Sequence, residues 1–116
     1  MTLRTILPAT LALAACTTSS TSTGWSVEAQ RGQALAEKHC AACHAVTVNA
    51  VSPNPQAPPF ADIAGKPGVT RETLRRFLQD SHNFPAPMNF RISPDAARDL
   101  AAYLATLREA DHAPVQ

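Results

Sequence analysis

A chain of 116 residues forms one domain at most. Only 5% of its residues are aromatic, whereas proline occurs 10 times, so large apolar side chains are scarce. A chain of this composition would build a weak core by itself, which predicts that a bound apolar group completes it. The formal net charge of +1 excludes a bulk attraction to nucleic acid or to an anionic membrane surface.

Residues 1–15 are typical of an export signal. A short basic start precedes a mostly apolar run that is too short to span a bilayer. The run ends in LAAC, which resembles the lipobox of bacterial lipoproteins, whose cysteine is acylated and becomes the first mature residue. We therefore predict a lipid anchor on Cys16, on the periplasmic side of a bacterial membrane. An ordinary signal peptide cleaved nearby is the alternative.

Residues 16–25 comprise the lipidated cysteine and a flexible linker, because the sequence TTSSTSTG has no apolar periodicity. The folded domain is predicted over residues 26–110, followed by a tail over 111–116. Removal of the leader takes away Arg4 and no acid, which leaves nine basic and nine acidic side chains. The mature chain is therefore formally neutral.

The first predicted helix begins after Ser26, a favourable N-cap, and ends near His39. One side of it has the residues Val27, Arg31, Ala34, Leu35 and Lys38, which predicts a weakly amphipathic helix. Gly32 lies in its interior, where glycine costs about 1 kcal/mol relative to alanine. A close approach of another backbone is one explanation, and a tolerated surface glycine is the other.

The pentapeptide from Cys40 to His44 has the pattern C-x-x-C-H, the attachment signature of a c-type haem. Thiols three positions apart lie on neighbouring faces of a helical turn, where each can add to one porphyrin vinyl group and form a thioether. His44 follows directly, so its imidazole can bind the iron as the proximal ligand.

Two other kinds of site use the same cysteine spacing. A thiol–disulfide redox pair usually accompanies a βαβ pattern, and a zinc site needs a second pair of ligands at similar spacing. Neither pattern follows in this sequence. The chain has 3 cysteines, and lipid on Cys16 with haem on Cys40 and Cys43 leaves none over. Haem attachment is therefore the favoured interpretation.

Three further helices are predicted after the proline-rich loop over 45–59. A short helix begins at Phe60 and stops at Gly65. A second helix follows the N-cap Thr70 and ends near His82. The last helix runs from Ser93 to about Arg108. The apolar face of the last helix consists of Ala97, Leu100, Ala101, Leu104 and Leu107. The proline-rich loop over 83–90 carries apolar side chains and is predicted to face the haem.

Residues 24–109 resemble class I cytochrome c. The resemblance implies an all-α, cytochrome c-like fold: a small helical domain around one covalent haem c, with its N- and C-terminal helices crossing. Gly32 matches the family glycine at that crossing, and Tyr103 matches the aromatic residue packed there. Ala36 departs from the family, which often has an aromatic residue at that position.

The resemblance also implies further site residues. Pro59 is similar to the family proline whose carbonyl accepts a hydrogen bond from the proximal histidine. Met88 matches the distal methionine, which would bind the iron opposite His44, although Asn89 follows where proline is common. His82 is the rival ligand, and a flexible core filler is the alternative role for Met88.

The predicted function is that of a one-electron carrier with His/Met ligation in a periplasmic or membrane-associated respiratory chain. A six-coordinate iron has no open position for a substrate, so we expect no enzymatic turnover. The expected partners are redox proteins, and the chain is expected to be a monomer. Two alternatives are a dedicated cytochrome subunit of a periplasmic dehydrogenase or oxidase, and a five-coordinate haem domain that binds or senses a small ligand.

Overall fold

The computed structural model describes residues 24–80, 86–88 and 90–111. Across these ranges the chain is helical and contains no strand. Its α-helices are α1 (Val27–His39), α2 (Phe60–Gly65), α3 (Arg71–Gln79) and α4 (Pro94–Asp111), and a 3-10 turn covers Ala86–Met88. The predicted leader, Cys16, the linker up to residue 23 and the tail beyond 111 lie outside the described residues.

Hydroxyl side chains cap three helices, as the sequence predicts. Ser26 Oγ accepts a hydrogen bond from the Ala29 amide at 3.2 Å, Thr70 Oγ1 accepts one from the Thr73 amide at 3.1 Å, and Ser93 Oγ accepts one from the Ala96 amide at 3.2 Å. These oxygens satisfy amides that have no partner within the helix.

Two helix ends differ from the prediction. Helix α3 ends at Gln79 instead of His82, because the backbone turns to an extended conformation at Asp80, with ψ of 90°. Aspartate is a weak helix former, since its side chain competes for backbone hydrogen bonds. Helix α4 continues to Asp111, three residues beyond the predicted end, because no glycine or proline interrupts it before that point.

The buried face of α1 agrees only in part with the predicted one, in which Leu35 does pack against the core. Val27 is 63% exposed, whereas Ala29, Gly32 and Ala36 are buried. A Cβ atom on Gly32 would lie 2.0 Å from the Asp99 carbonyl oxygen of α4. Small residues therefore allow the backbones of α1 and α4 to cross in contact, which confirms the close-approach explanation for Gly32.

Tyr103 is the large side chain at this crossing and is only 1% exposed. The ring of Trp25 packs edge-on against it, with centroids 5.7 Å apart and planes at 60°. Such an aromatic pair is favourable beyond its buried area. Trp25, the residue just before the α1 N-cap, therefore covers part of Tyr103.

An ion pair joins the same two helices. Arg31 Nε lies 2.8 Å from Asp99 Oδ2, and Arg31 Nη2 lies 3.1 Å from Asp99 Oδ1. The Asp99 side chain is 7% exposed and that of Arg31 is 51% exposed. The hydrogen bonds from Arg31 lower the pKa of Asp99, so the carboxylate stays ionised against the cost of burial.

We expect Asp99→Asn to lower the free energy of unfolding at pH 7 by about 1–2 kcal/mol, because a charged hydrogen-bonded pair is lost while the half-exposed Arg31 can be hydrated. The folded pKa of Asp99 lies below its unfolded value of about 4. The contribution of the Asp99 carboxylate to stability is therefore complete at pH values above its unfolded pKa, and it is lost as the pH falls through its folded pKa. Urea unfolding at pH 7 and at about pH 2 measures this.

Asp95→Asn is the matched control. Its carboxylate lies 3.1 Å from Arg98 Nη1, but its side chain is 80% exposed. Exposed ion pairs contribute roughly 0–1 kcal/mol. A loss of stability in Asp99→Asn that is the same at both pH values, or that the control reproduces, would contradict this role for the ion pair.

Helices α2 and α3 pack against the other part of α4. Arg108 Nε donates a hydrogen bond to the Ala64 carbonyl at 3.0 Å, and Arg108 also donates to the Val69 carbonyl. The predicted apolar face of α4 is confirmed, since Ala97, Leu100, Ala101, Leu104 and Leu107 are all buried. Helix α4 therefore holds the remaining helices around one interior space.

Candidate functional site

A cavity of about 360 Å³ lies between the helices, within the usual size range of small-molecule sites. Apolar side chains form most of its wall, including Ile63 of α2, Leu74 and Leu78 of α3, and Leu100 and Leu104 of α4. The core is incomplete, as the composition predicts, because the helices surround this cavity without filling it.

Cys40, Cys43 and His44 line this cavity together. Cys40 is the C-cap of α1, and a turn follows in which the amides of Cys43 and His44 both donate to the Cys40 carbonyl, at 3.1 Å and 2.9 Å. Cys40 and Cys43 are not joined in a disulfide, and Cys40 is half-buried whereas Cys43 is exposed. Burial raises the pKa of the Cys40 thiol.

The His44 ring is oriented by a backbone carbonyl. Its Nδ1 lies 2.7 Å from the carbonyl oxygen of Pro58. A carbonyl can only accept a hydrogen bond, so Nδ1 carries a proton, and in the neutral ring the free lone pair is then that of Nε2. The ring of Phe60 packs beside it, with centroids 5.3 Å apart. The imidazole is thus held in the tautomer that leaves Nε2 available to a metal.

The structure corrects the assignment of that carbonyl to Pro59. The Pro59 carbonyl accepts a hydrogen bond from the Ile63 amide at 3.1 Å, because Pro59 is the N-cap of α2. An N-cap carbonyl accepts the first hydrogen bond within its helix. The sequence predicts that a helix begins at Phe60. That helix uses the Pro59 carbonyl, so the carbonyl left for His44 is that of Pro58.

Met88 also lines the cavity. Met88 is the last residue of the 3-10 turn Ala86–Met88, and its side chain is half-buried. Pro87 and Phe90 line the same wall of the cavity. The loop therefore contributes to the cavity wall, as predicted, where it is described. The rival ligand His82 and the departure Asn89 lie outside the described residues.

Polar cavity residues that the sequence analysis did not single out come from the loop before α2. Asn54 and Gln56 line the cavity, and the Asn54 amide donates to the Cys43 carbonyl at 3.1 Å. Asn54 Oδ1 accepts from the Gln56 amide at 3.0 Å, which makes a local turn. This turn returns the chain to the cysteine segment.

Comparison with known proteins decides the family. The sequence matches the cytochrome c family over residues 29–108. This chain belongs to the cytochrome c family. It is 37% identical over 90 residues to cytochrome c-552 of Bradyrhizobium diazoefficiens, a match that covers 78% of this chain and 85% of the relative. No solved structure matches the chain.

The all-α cytochrome c fold predicted from the sequence is confirmed by this match and by the helices of the described ranges. Cytochromes c carry one covalently bound haem c and act as electron carriers that exchange electrons with redox partners. The cavity fits such a group. Its wall is largely apolar, while two thiols and an imidazole with a free Nε2 lie together in it.

Five basic residues occur between positions 66 and 91, and two of them are paired with an acid of α3: the five are Lys66, Arg71, Arg75, Arg76 and Arg91. Glu72 lies between two arginines of α3, 2.8 Å from Arg75 Nη2 and 2.7 Å from Arg76 Nε. Hydrogen bonds from Arg75 and then Arg76 lower the pKa of Glu72 to about 2. Glu72 therefore remains ionised at neutral pH and offsets part of the positive charge of this helix.

Proposed function

We propose that Cys40 and Cys43 hold the haem through two thioethers, that His44 Nε2 is the proximal iron ligand, and that the protein is a one-electron carrier. One observation supports this most strongly: both thiols and the oriented imidazole lie in the same apolar cavity. When bound, the haem supplies one-electron redox chemistry by cycling its iron between the ferric and ferrous states.

The side chains of this chain tune that chemistry. The Pro58 carbonyl makes the His44 imidazole a stronger electron donor by accepting its Nδ1 proton in a hydrogen bond. The largely apolar wall lowers the polarity around the centre, which disfavours its more highly charged oxidation state. The protein therefore sets the reduction potential through ligand basicity and burial.

We propose Met88 as the distal ligand. Met88 ends a short turn that includes Pro87, whose ring limits the conformations of that turn, and the Met88 side chain lines the same cavity as His44. His/Met ligation raises the reduction potential relative to two histidines. With both axial positions filled, the iron would have no site for substrate, and we propose that the protein is not an enzyme.

We expect Met88→Ala to abolish the weak band at the red edge of the ferric absorption spectrum, because that band arises from the sulfur–iron bond. The variant should also have a lower reduction potential and should bind added cyanide or imidazole at the vacated position. Absorption spectroscopy with a ligand titration and a redox titration measures all three effects.

Leu78→Ala provides the control, since Leu78 is another apolar residue of the cavity wall and has no sulfur. It should lose stability but keep the band and resist added ligands. An unchanged spectrum in Met88→Ala would assign the distal position to another residue, such as His82. A wild-type ferric protein that already binds added ligands readily would favour the five-coordinate alternative.

We propose that the domain is exported and held on the periplasmic side of a bacterial membrane by lipid on Cys16, where it serves a respiratory chain as a monomer. The lipobox-like LAAC sequence supports the anchor. Within the described ranges, no helix is both long and apolar enough to cross a bilayer. A single acyl chain binds a membrane only marginally, and bacterial lipoproteins carry more than one.

Cys16→Ser should prevent acylation and leave an unprocessed or mislocalised precursor. Cell fractionation with mass spectrometry of the mature N-terminus measures this outcome. Thr17→Ser, an equally small change one residue later, should remain in the membrane fraction. A soluble wild-type protein whose mature N-terminus is not Cys16 would contradict the anchor while leaving the haem proposal intact.

A further inference from the structure

The two residues after His44 are buried and held by hydrogen bonds from three separate parts of the chain. Ala45 is 4% exposed and Val46 is 8% exposed. The Phe60 amide of α2 donates to the Ala45 carbonyl at 2.9 Å. Side chains make the other two bonds, and neither has a role in the ligation proposed above.

Ser52 makes the first of these bonds. Its Oγ accepts a hydrogen bond from the Ala45 amide at 2.9 Å, and the residue is 9% exposed. The intervening loop turns at Asn49, which has a φ of 56°, a left-handed conformation that asparagine tolerates better than most residues. The loop thereby returns Ser52 to the peptide that immediately follows His44.

Tyr103 makes the second bond. Its hydroxyl donates to the Val46 carbonyl at 2.7 Å from the middle of α4. Burial raises the pKa of this hydroxyl, which keeps it protonated and able to donate at neutral pH. The Trp25 ring packs against the Tyr103 ring, and the Cβ of Tyr103 lies beside Gly32, so the donor is held at the α1–α4 crossing.

We infer that Ser52 and Tyr103 are positioning residues for the proximal ligand: they fix the backbone on the C-terminal side of His44 and so set the orientation of its imidazole. The inference rests on the proposed function, since this orientation matters to redox chemistry only if His44 binds the iron. The His44 amide already donates to the Cys40 carbonyl at 2.9 Å, which fixes the N-terminal side.

The physical reason is the sensitivity of the Nδ1–Pro58 hydrogen bond to small displacements. A bond of 2.7 Å weakens quickly with distance and angle. If the Ala45–Val46 segment shifts, the ring turns or withdraws from the Pro58 carbonyl, and the imidazole becomes a poorer donor. Loss of either side chain should therefore raise the reduction potential, because a stronger donor favours ferric iron.

The test uses the exported wild-type protein with its haem and two conservative variants, Ser52→Ala and Tyr103→Phe. Each variant has a matched control that loses a comparable hydrogen bond that does not involve Ala45 or Val46. Ser93→Ala removes an oxygen that accepts from the Ala96 amide at 3.2 Å, and Thr106→Val removes a hydroxyl that donates to the Tyr103 carbonyl at 2.7 Å. The controls separate a positioning effect from a general loss of stability.

Two readouts report on the imidazole directly. The paramagnetically shifted haem methyl resonances of the ferric protein depend on the orientation of the axial imidazole plane, and a redox titration reports its donor strength. We expect both test variants to change the spread of the methyl resonances and to raise the potential. Both controls should keep the wild-type spectrum and potential, even where urea unfolding shows a similar loss of stability.

Wild-type methyl resonances and potential in both Ser52→Ala and Tyr103→Phe would overturn the inference, and so would equal changes in the controls. Failure of the proposed ligation looks different. In that case the wild-type protein itself would lack the spectrum of a low-spin, histidine-ligated ferric haem, and the positioning role would be overturned with it.

Discussion

Gly32→Ala is expected to destabilise the folded protein by at least about 3 kcal/mol, although alanine is normally the better helix former by about 1 kcal/mol. The added Cβ would lie 2.0 Å from the Asp99 carbonyl oxygen and 2.8 Å from the Tyr103 Cβ. A backbone oxygen cannot move aside as a flexible side chain can. Helix α1 must therefore separate from α4, which loosens the crossing that holds Tyr103.

Gly65→Ala is the control, because a Cβ built on that glycine at the end of α2 has no atom from another part of the described ranges within 4 Å. It should be neutral or slightly stabilising. Urea unfolding followed by circular dichroism measures both variants, with haem content determined in the same samples. Equal stability of Gly32→Ala and wild type would show that α1 and α4 do not cross in backbone contact.

The double variant Cys40→Ser, Cys43→Ser is expected to lose covalent haem and, with it, most of its stable structure. A cavity of 360 Å³, left without its occupant, costs on the order of 9 kcal/mol at about 24 cal/mol per Å³. This is an upper bound, because the cavity is open to solvent and can partly collapse. It is nevertheless comparable to the whole stability of a small domain, roughly 5–15 kcal/mol.

The single variant Cys43→Ser is the informative comparison, since Cys40 and His44 remain available to one thioether and one axial bond. It should retain more haem and a sharper unfolding transition than the double variant. Absorption spectra and circular dichroism of the exported proteins give both quantities. A double variant that contains no haem yet unfolds with wild-type stability would show that the helices form a complete core without it.

Much of this fold is predictable because its signals are local. Ser26, Thr70 and Ser93 cap helices through contacts three residues away, and the apolar face of α4 has helical spacing. The buried face of α1 is predictable only in part, because its burial depends on small side chains at the crossing as well as on the hydrophobic Leu35. Ala29, Gly32 and Ala36 are buried since they permit a close crossing.

The same difference between local and long-range signals decides which parts of the candidate site are predictable from the sequence. The pattern from Cys40 to His44 is a local signal and needs no knowledge of the fold. The carbonyl of Pro58 was missed in favour of its neighbour because the choice depends on where α2 begins. The contacts that Ser52 and Tyr103 make beside His44 arise only when the loop folds back and α4 packs across α1, so spacing in the sequence gives no sign of them.

The most direct test of the central proposal is to denature the exported wild-type protein, extract it with acid–acetone and determine its intact and peptide masses. Thioethers are covalent, so we expect the colour to stay with the polypeptide, the mass to exceed that of the unmodified mature chain by one haem, and the added mass to map to the peptide containing Cys40 and Cys43. Haem that extracts into acetone, leaving an unmodified polypeptide, would contradict the proposal.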